Sequence, residues 1–207
     1  MTLKLFYVPG ACSLAPHVAL QWIGAPFETV RVKYGSPELV AVNPAGSVPA
    51  LDTGEGWTLT QNGAILHYLA RRFPDAELGA EPGLRGEAEF DRWSAFFTGD
   101  LHPAFFPLFS PGRYTVAKDV ATQNQVRDAA YALIDRRLLL LDAQLRGQPF
   151  ILGARRTVLD AYAIPMLRWA TAKLPDGLAA YPNVRAHLDR LLADPGVAKT
   201  VASEEAS

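Results

Sequence analysis

A single cysteine, Cys12, occurs in the 207 residues, so no intramolecular disulfide is possible and the chain reads as a protein of a reducing compartment, the cytoplasm. Long apolar runs are missing too. The densest, Leu138 to Leu141, is closed off by Arg136, Arg137 and Asp142, far short of the roughly 18 residues that suggest a membrane span. The opening Met1-Thr2-Leu3-Lys4-Leu5 lacks the apolar stretch and small-residue cleavage site of a secretory leader. Charge of one sign is not in excess: a formal net charge of −1 gives no electrostatic reason to expect nucleic acid as a partner. Four histidines and one cysteine, scattered without ligand spacing, provide no metal-site signature. What the chain does have is apolar residues, 49% of the total, enough for a substantial core without staples.

Leu3 to Val8 is almost continuously apolar, as in a strand buried on both faces, and Pro9-Gly10 breaks it. From Ser13 to Ile23, Leu14, Val18 and Trp22 share a helical stripe that ends at Gly24, a residue suited to a helix C-cap. Phe27 to Val32 alternates as a second strand, and the short helical connection makes the two strands parallel. A short helical stretch, Ser36 to Val42, follows. Val48 to Leu51 and Trp57 to Thr60 read as an antiparallel hairpin across a turn-rich spacer, and a helix runs from Asn62 to Phe73. The order is β-α-β-α-β-β-α. We place this first domain at residues 1–78 and a Pro- and Gly-rich linker at 79–86, leaving 87–207 as an all-α domain. Phe90, Trp93, Phe97 and Leu101 stripe one of its helices, and Val126, Ala130, Leu133, Ile134, Leu138, Leu141 and Leu145 another. Thr157-Val158-Leu159-Asp160 resembles a capping box opening a helix to Lys173; Tyr181-Pro182-Asn183 opens a last helix, and the tail from Val197 reads as frayed.

Three segments could carry chemistry. Cys12 lies between a strand and a helix, where free backbone N–H groups favour a thiolate and lower the thiol below its usual value of about 8.5; a small buried hydrophobe is the alternative. In Asn43-Pro44-Ala45-Gly46-Ser47-Val48-Pro49, Pro49 cannot donate to a sheet, which points to an edge position or a cis Val48-Pro49 bond. With the bond cis, Val48 would offer its N–H and C=O to an extended peptide-like ligand. Gln61-Asn62 starts a helix whose unpaired N–H groups suit a carboxylate, unless Asn62 simply caps it.

Taken together, in this order and followed by an all-α half, the segments resemble a cytosolic glutathione transferase. Pro9-Gly10-Ala11-Cys12-Ser13 and Asn43-Pro44-Ala45-Gly46 are most similar to the bacterial beta class. The resemblance implies a thioredoxin-like N-terminal domain that holds glutathione as co-substrate, and a helical domain that supplies a pocket for a small hydrophobic electrophile. It implies that Cys12 sits beside the glutathione sulfur and can form a mixed disulfide with it, with Ser13 and Tyr7 as competitors for activating the thiol and His102 projecting toward it. Val48, ahead of Pro49, would pair with the cysteinyl part of glutathione, and Gln61 and Asn62 would hold its γ-glutamyl end. The beta class usually has Glu followed by Ser or Gly there. Lys33 is the nearest basic partner for the glycine carboxylate, because the chain lacks the longer loop that carries the usual lysine. Tyr7, Phe105, Phe106, Phe109, Tyr114 and Trp169 would line the apolar pocket. The resemblance also implies a homodimer, with Trp57, Phe73 and Phe90 as interface material. Two rival functions keep the fold: glutathione-dependent thiol-disulfide exchange or peroxidase chemistry through Cys12, and a weakly catalytic ligand-binding protein.

Overall fold

The computed structural model describes residues 2–206. β1 (Leu3–Tyr7), α1 (Leu14–Ile23) and β2 (Phe27–Arg31) form the β-α-β opening, with β1 and β2 parallel and Leu5 opposite Thr29. The strand order β2-β1-β3-β4 explains why β1 is apolar at every position but Lys4. It lies inside the sheet with both faces covered: Leu3 and Leu5 join the main core, while Phe6 packs with Val32, Leu39, Val48 and Ala50 on the other side. α2 (Pro37–Val42) supplies Leu39 to that second cluster and starts at Ser36, whose hydroxyl accepts the Leu39 N–H. β3 (Ala50–Asp52) and β4 (Thr58–Thr60) are the antiparallel hairpin, and α3 (Asn62–Arg72) closes the first half. At Gly24 the backbone turns left-handed, φ 74°, and its N–H returns to the Leu20 carbonyl.

α4 (Leu84–Ala95) takes in residues 84–86, which the sequence reading assigned to the linker. Its helical path then loosens into a π-helical stretch, Phe96–Leu101, followed by two short pieces, α5 (His102–Ala104) and α6 (Phe106–Phe109). The prolines account for this: Pro103 and Pro107 have no N–H to return to the preceding turn, and the His102 N–H reaches five residues back to the Phe97 carbonyl. α7 (Val120–Gln144) begins at Asp119, whose carboxylate accepts the Thr122 N–H at 2.8 Å. It buries Ala130, Ile134, Leu138 and Leu141, whereas Leu133, expected on the same stripe, is exposed.

α8 (Val158–Lys173) runs through the middle of the molecule and packs on α1, α3 and α9 (Pro182–Leu192). Its capping box is present: the Thr157 hydroxyl accepts the Leu159 N–H, and the Thr157 N–H donates to Asp160 Oδ2 at 2.6 Å. The tail is not frayed. Residues Pro195–Glu205 form α10, capped by Asp194, which accepts from the Gly196 and Val197 N–H groups, and the helix docks on α1 with Val197, Thr200 and Glu204 buried. Asp-Pro is a helix-start signal that the sequence reading passed over, and the buried residues fall at helical spacing. Phe90 is likewise core, 5% exposed, so it is not surface material for an interface, whereas Trp57 is exposed. No helix among the described residues is long and apolar enough to cross a membrane.

Candidate functional site

The loop joining β1 to α1 is held from four directions. Within the loop, the Ser13 hydroxyl bonds both the N–H and the C=O of Val8 at 3.2 Å. Ser13 is fully buried, and its hydroxyl is engaged in shaping the turn. From the helical half, the Trp169 indole N–H donates to the Gly10 carbonyl at 2.8 Å, and Glu204 Oε2 accepts the Gly10 N–H at 3.2 Å. Glu204 Oε1 also lies 2.9 Å from His17 Nδ1, and both side chains are almost wholly buried. From α3, Asn62 Nδ2 donates to the Cys12 carbonyl at 2.8 Å. From the turn before β3, the Val48 carbonyl accepts from the Cys12 thiol at 3.5 Å. The Val48-Pro49 bond is cis, and the Val48 N–H makes no hydrogen bond among the described residues.

These contacts change the role of the thiol. Backbone N–H groups of Cys12 and Ser13 pull its pKa down, but burial outweighs them and pushes it up to about 12. The expected low-pKa thiolate is therefore replaced by a protonated thiol that donates to a carbonyl. Desolvation is the largest influence, and the Val48 carbonyl accepts the thiol proton in a hydrogen bond.

Asn62 is also not placed as expected. Gln61 occupies the cap position without a capping side chain, and the Asn62 side chain turns inward to Cys12 with its Oδ1 buried and unpartnered. Its side chain is thus directed away from any γ-glutamyl group. What α3 offers a ligand is its N-terminal backbone N–H groups and the exposed Gln61, which sits at a left-handed φ of 70° that costs about 1–3 kcal/mol. Lys33 is exposed in the loop after β2, next to Tyr34, whose hydroxyl lies within electrostatic reach of Cys12.

The helical half contributes an aromatic wall. The His102 ring lies 5.4 Å from Trp169 and 5.0 Å from Phe106, and Trp169 meets Phe109 edge-on at 5.1 Å. Phe106 and Phe109 are exposed, as an open pocket requires. Phe105 is fully buried and stacks behind them on Phe109, so it belongs to the core rather than the lining. Tyr114 is exposed and makes no ring contact with this cluster. Tyr7 is buried with its ring against His17. Burial pushes the His102 imidazole down to about 4, so it is neutral at physiological pH. Its Nδ1 is 3.1 Å from the Tyr162 hydroxyl. Tyr162 escaped the sequence reading because it lies in an apolar helical stretch that reads simply as core, and Glu204 because it lies in a tail that reads as frayed.

Residues 1–71 match the model of the glutathione S-transferase N-terminal domain and residues 124–190 that of its C-terminal domain. The chain belongs to the glutathione S-transferase family. It is 40% identical to a glutathione S-transferase of Xanthomonas campestris pv. campestris over 98% of both chains. Its fold superimposes on the bacterial beta class glutathione S-transferase of Sphingomonas chungbukensis with TM-score 0.86 and 35% identity, covering 97% of this chain and 98% of that one. A sphingomonad glutathione S-transferase complexed with glutathione gives the same TM-score at 35% identity, over 99% of this chain and 100% of that one. The sheet and helices described above are thus the thioredoxin-like and all-α halves of the glutathione S-transferase fold. A separate cavity of about 630 Å³ between α3, the linker and α4 shares no lining residue with the Cys12 site of this transferase. No cluster of three or more potential metal ligands occurs among the described residues.

Replacing Trp169 with Phe removes one neutral hydrogen bond that ties the halves together at Gly10. The expected loss is about 1 kcal/mol of stability, read from the urea midpoint. An unchanged midpoint would show that the indole N–H does not brace the loop.

Proposed function

We propose that this transferase conjugates reduced glutathione to small hydrophobic electrophiles. One observation carries the reading: the Cys12 loop, the Val48 turn and the start of α3 converge within hydrogen-bonding distance of one another, and Trp169 of the aromatic wall around His102 bonds the same loop at Gly10. The Val48 backbone would pair with the cysteinyl residue of glutathione, the uncapped start of α3 with Gln61 would take the γ-glutamyl carboxylate, and Lys33 would face the glycine end. Glutathione's sulfur would then lie beside Cys12. The Cys12 thiol, protonated in this setting, would turn its one S–H from the Val48 carbonyl to the glutathione thiolate and stabilise it there. Phe106, Phe109 and Trp169 hold the electrophile against that sulfur, which replaces a bimolecular encounter with a positioned one. The raised thiol disfavours the exchange chemistry in which Cys12 itself attacks a disulfide. The working unit is a homodimer and the compartment the cytoplasm, in keeping with an unpaired thiol; sedimentation tests the first.

Calorimetry with glutathione, followed by conjugation assays on wild type and Cys12→Ala, tests the reading. Binding is expected, together with conjugation that falls several-fold but persists in Cys12→Ala. No binding at millimolar glutathione would sink both enzymatic readings. A variant that loses only mixed-disulfide reduction would favour exchange.

A further inference from the structure

His102 is held by a residue that the proposed function leaves unused. Tyr162, on the central helix α8, is 2% exposed, and its ring lies 5.5 Å from that of Phe97. Its hydroxyl bonds His102 Nδ1 at 3.1 Å and makes no other hydrogen bond among the described residues. His102 Nε2 makes none among the described residues either, and it is not one of the fully buried unpartnered atoms, so it keeps some exposure to solvent.

A neutral imidazole has one donor and one acceptor nitrogen, so the Tyr162 contact can be built in two ways. If Nδ1 carries the proton and donates to the tyrosine oxygen, the hydroxyl proton is left without an acceptor in a buried position. If the hydroxyl donates, every buried polar hydrogen is paired and the imidazole proton sits on Nε2. Leaving a buried donor unpaired biases the balance toward the second arrangement by about tenfold.

We propose that Tyr162 is a positioning residue: its hydroxyl donates to His102 Nδ1, fixes the Nε2–H tautomer and so presents a neutral donor to the sulfur bound beside Cys12. Two contacts bring the His102–Tyr162 pair close to the Cys12 loop. Trp169, 5.4 Å from the His102 ring, bonds the Gly10 carbonyl two residues before Cys12, and the Tyr162 hydroxyl is within electrostatic reach of Cys12 itself. In this arrangement His102 takes no proton during conjugation. It holds negative charge on the sulfur until the charge passes to the electrophile, as a preorganised donor does.

The proposal rests on the glutathione reading for its catalytic consequence but not for its tautomer, and the experiment separates the two. Nitrogen-15 spectra of the histidine rings, assigned with His102→Gln, report the tautomer in the free protein. Wild type is expected to show Nε2–H, and Tyr162→Phe a mixture of both forms. In conjugation assays Tyr162→Phe is expected to lower kcat about tenfold with KM for glutathione within twofold, and the double variant with His102→Gln to fall no further than His102→Gln alone. An Nδ1–H form in wild type, an unmoved tautomer in Tyr162→Phe, or fully additive losses would overturn it. Absence of any conjugation by wild type would defeat the glutathione reading while the spectra still decide the tautomer.

Discussion

Asp160→Ala is expected to cost about 4 kcal/mol, enough to leave little folded protein at 37 °C. The Asp160 carboxylate is fully buried and accepts the Ile151 N–H at 3.0 Å, the Thr157 N–H at 2.6 Å and the Thr157 hydroxyl at 3.2 Å. Alanine orphans two buried backbone donors, each costing about 1–3 kcal/mol, and removes the capping box of the helix against which α1, α3 and α9 pack. His187 Nε2, 3.3 Å from Oδ1 without hydrogen-bond alignment, loses the carboxylate beside it. Total stabilities run at about 5–15 kcal/mol, so a loss of this size is a large share of the whole. Asp160→Asn should be milder, since one oxygen remains to accept. Soluble yield and urea unfolding measure both. A loss below about 1 kcal/mol for the alanine variant would mean that the three donors find other partners and that the cap is not what holds α8 in place.

The second large effect concerns the thiol. With its pKa pushed up to about 12, Cys12 should react with iodoacetamide at pH 7.5 roughly three thousandfold more slowly than free cysteine. A thiol of pKa about 8.5 is one-tenth thiolate at that pH, and one of pKa about 12 is thiolate only about once in thirty thousand molecules. Timed alkylation followed by mass spectrometry reads this directly. Alkylation at the free-cysteine rate would refute the half-buried, carbonyl-bonded thiol. The same displacement has a stability consequence of definite sign. Below about pH 8.5 the thiol is protonated in both the folded and the unfolded chain, and its contribution to stability is fully present. As pH rises from there toward 12, the unfolded chain releases a proton that the folded one retains. Stability then falls by about 1.4 kcal/mol per pH unit from this group.

The local architecture was readable because local rules decide it. The almost continuous apolar run of Leu3 to Val8 reads as an interior strand, Gly24 as a helix C-cap, and Thr157 with Asp160 as a capping box, and each is found as such. Boundaries moved where local signals competed, as at residues 84–86, where α4 begins inside a stretch whose prolines and glycines read as linker. The tail was misread for a different reason. Asp194-Pro195 was available as a start signal, but Val197, Thr200, Val201 and Glu204 are too few and too mixed in polarity to identify a buried face without knowing that α1 lies beneath it. Glu204 in particular reads as a solvated charge, yet it is buried against His17 and the Gly10 N–H, 194 residues away in the chain. Among the aromatics, periodicity placed Phe105, Phe106 and Phe109 on one short helical segment but could not separate the core ring from the two at the opening.

From the residues alone came the two-part fold, the strand and helix order, and the three segments that meet at the site, because propensity, capping and hydrophobic periodicity act over a few neighbours. The state of Cys12, the inward turn of Asn62 and the pairing of His102 with Tyr162 arose only when distant segments closed on one another. Desolvation and the assignment of buried hydrogen bonds depend on what surrounds a group in space, and a helix start that favours a thiolate in isolation yields a protonated thiol once desolvation acts on it and the Val48 carbonyl accepts its hydrogen bond.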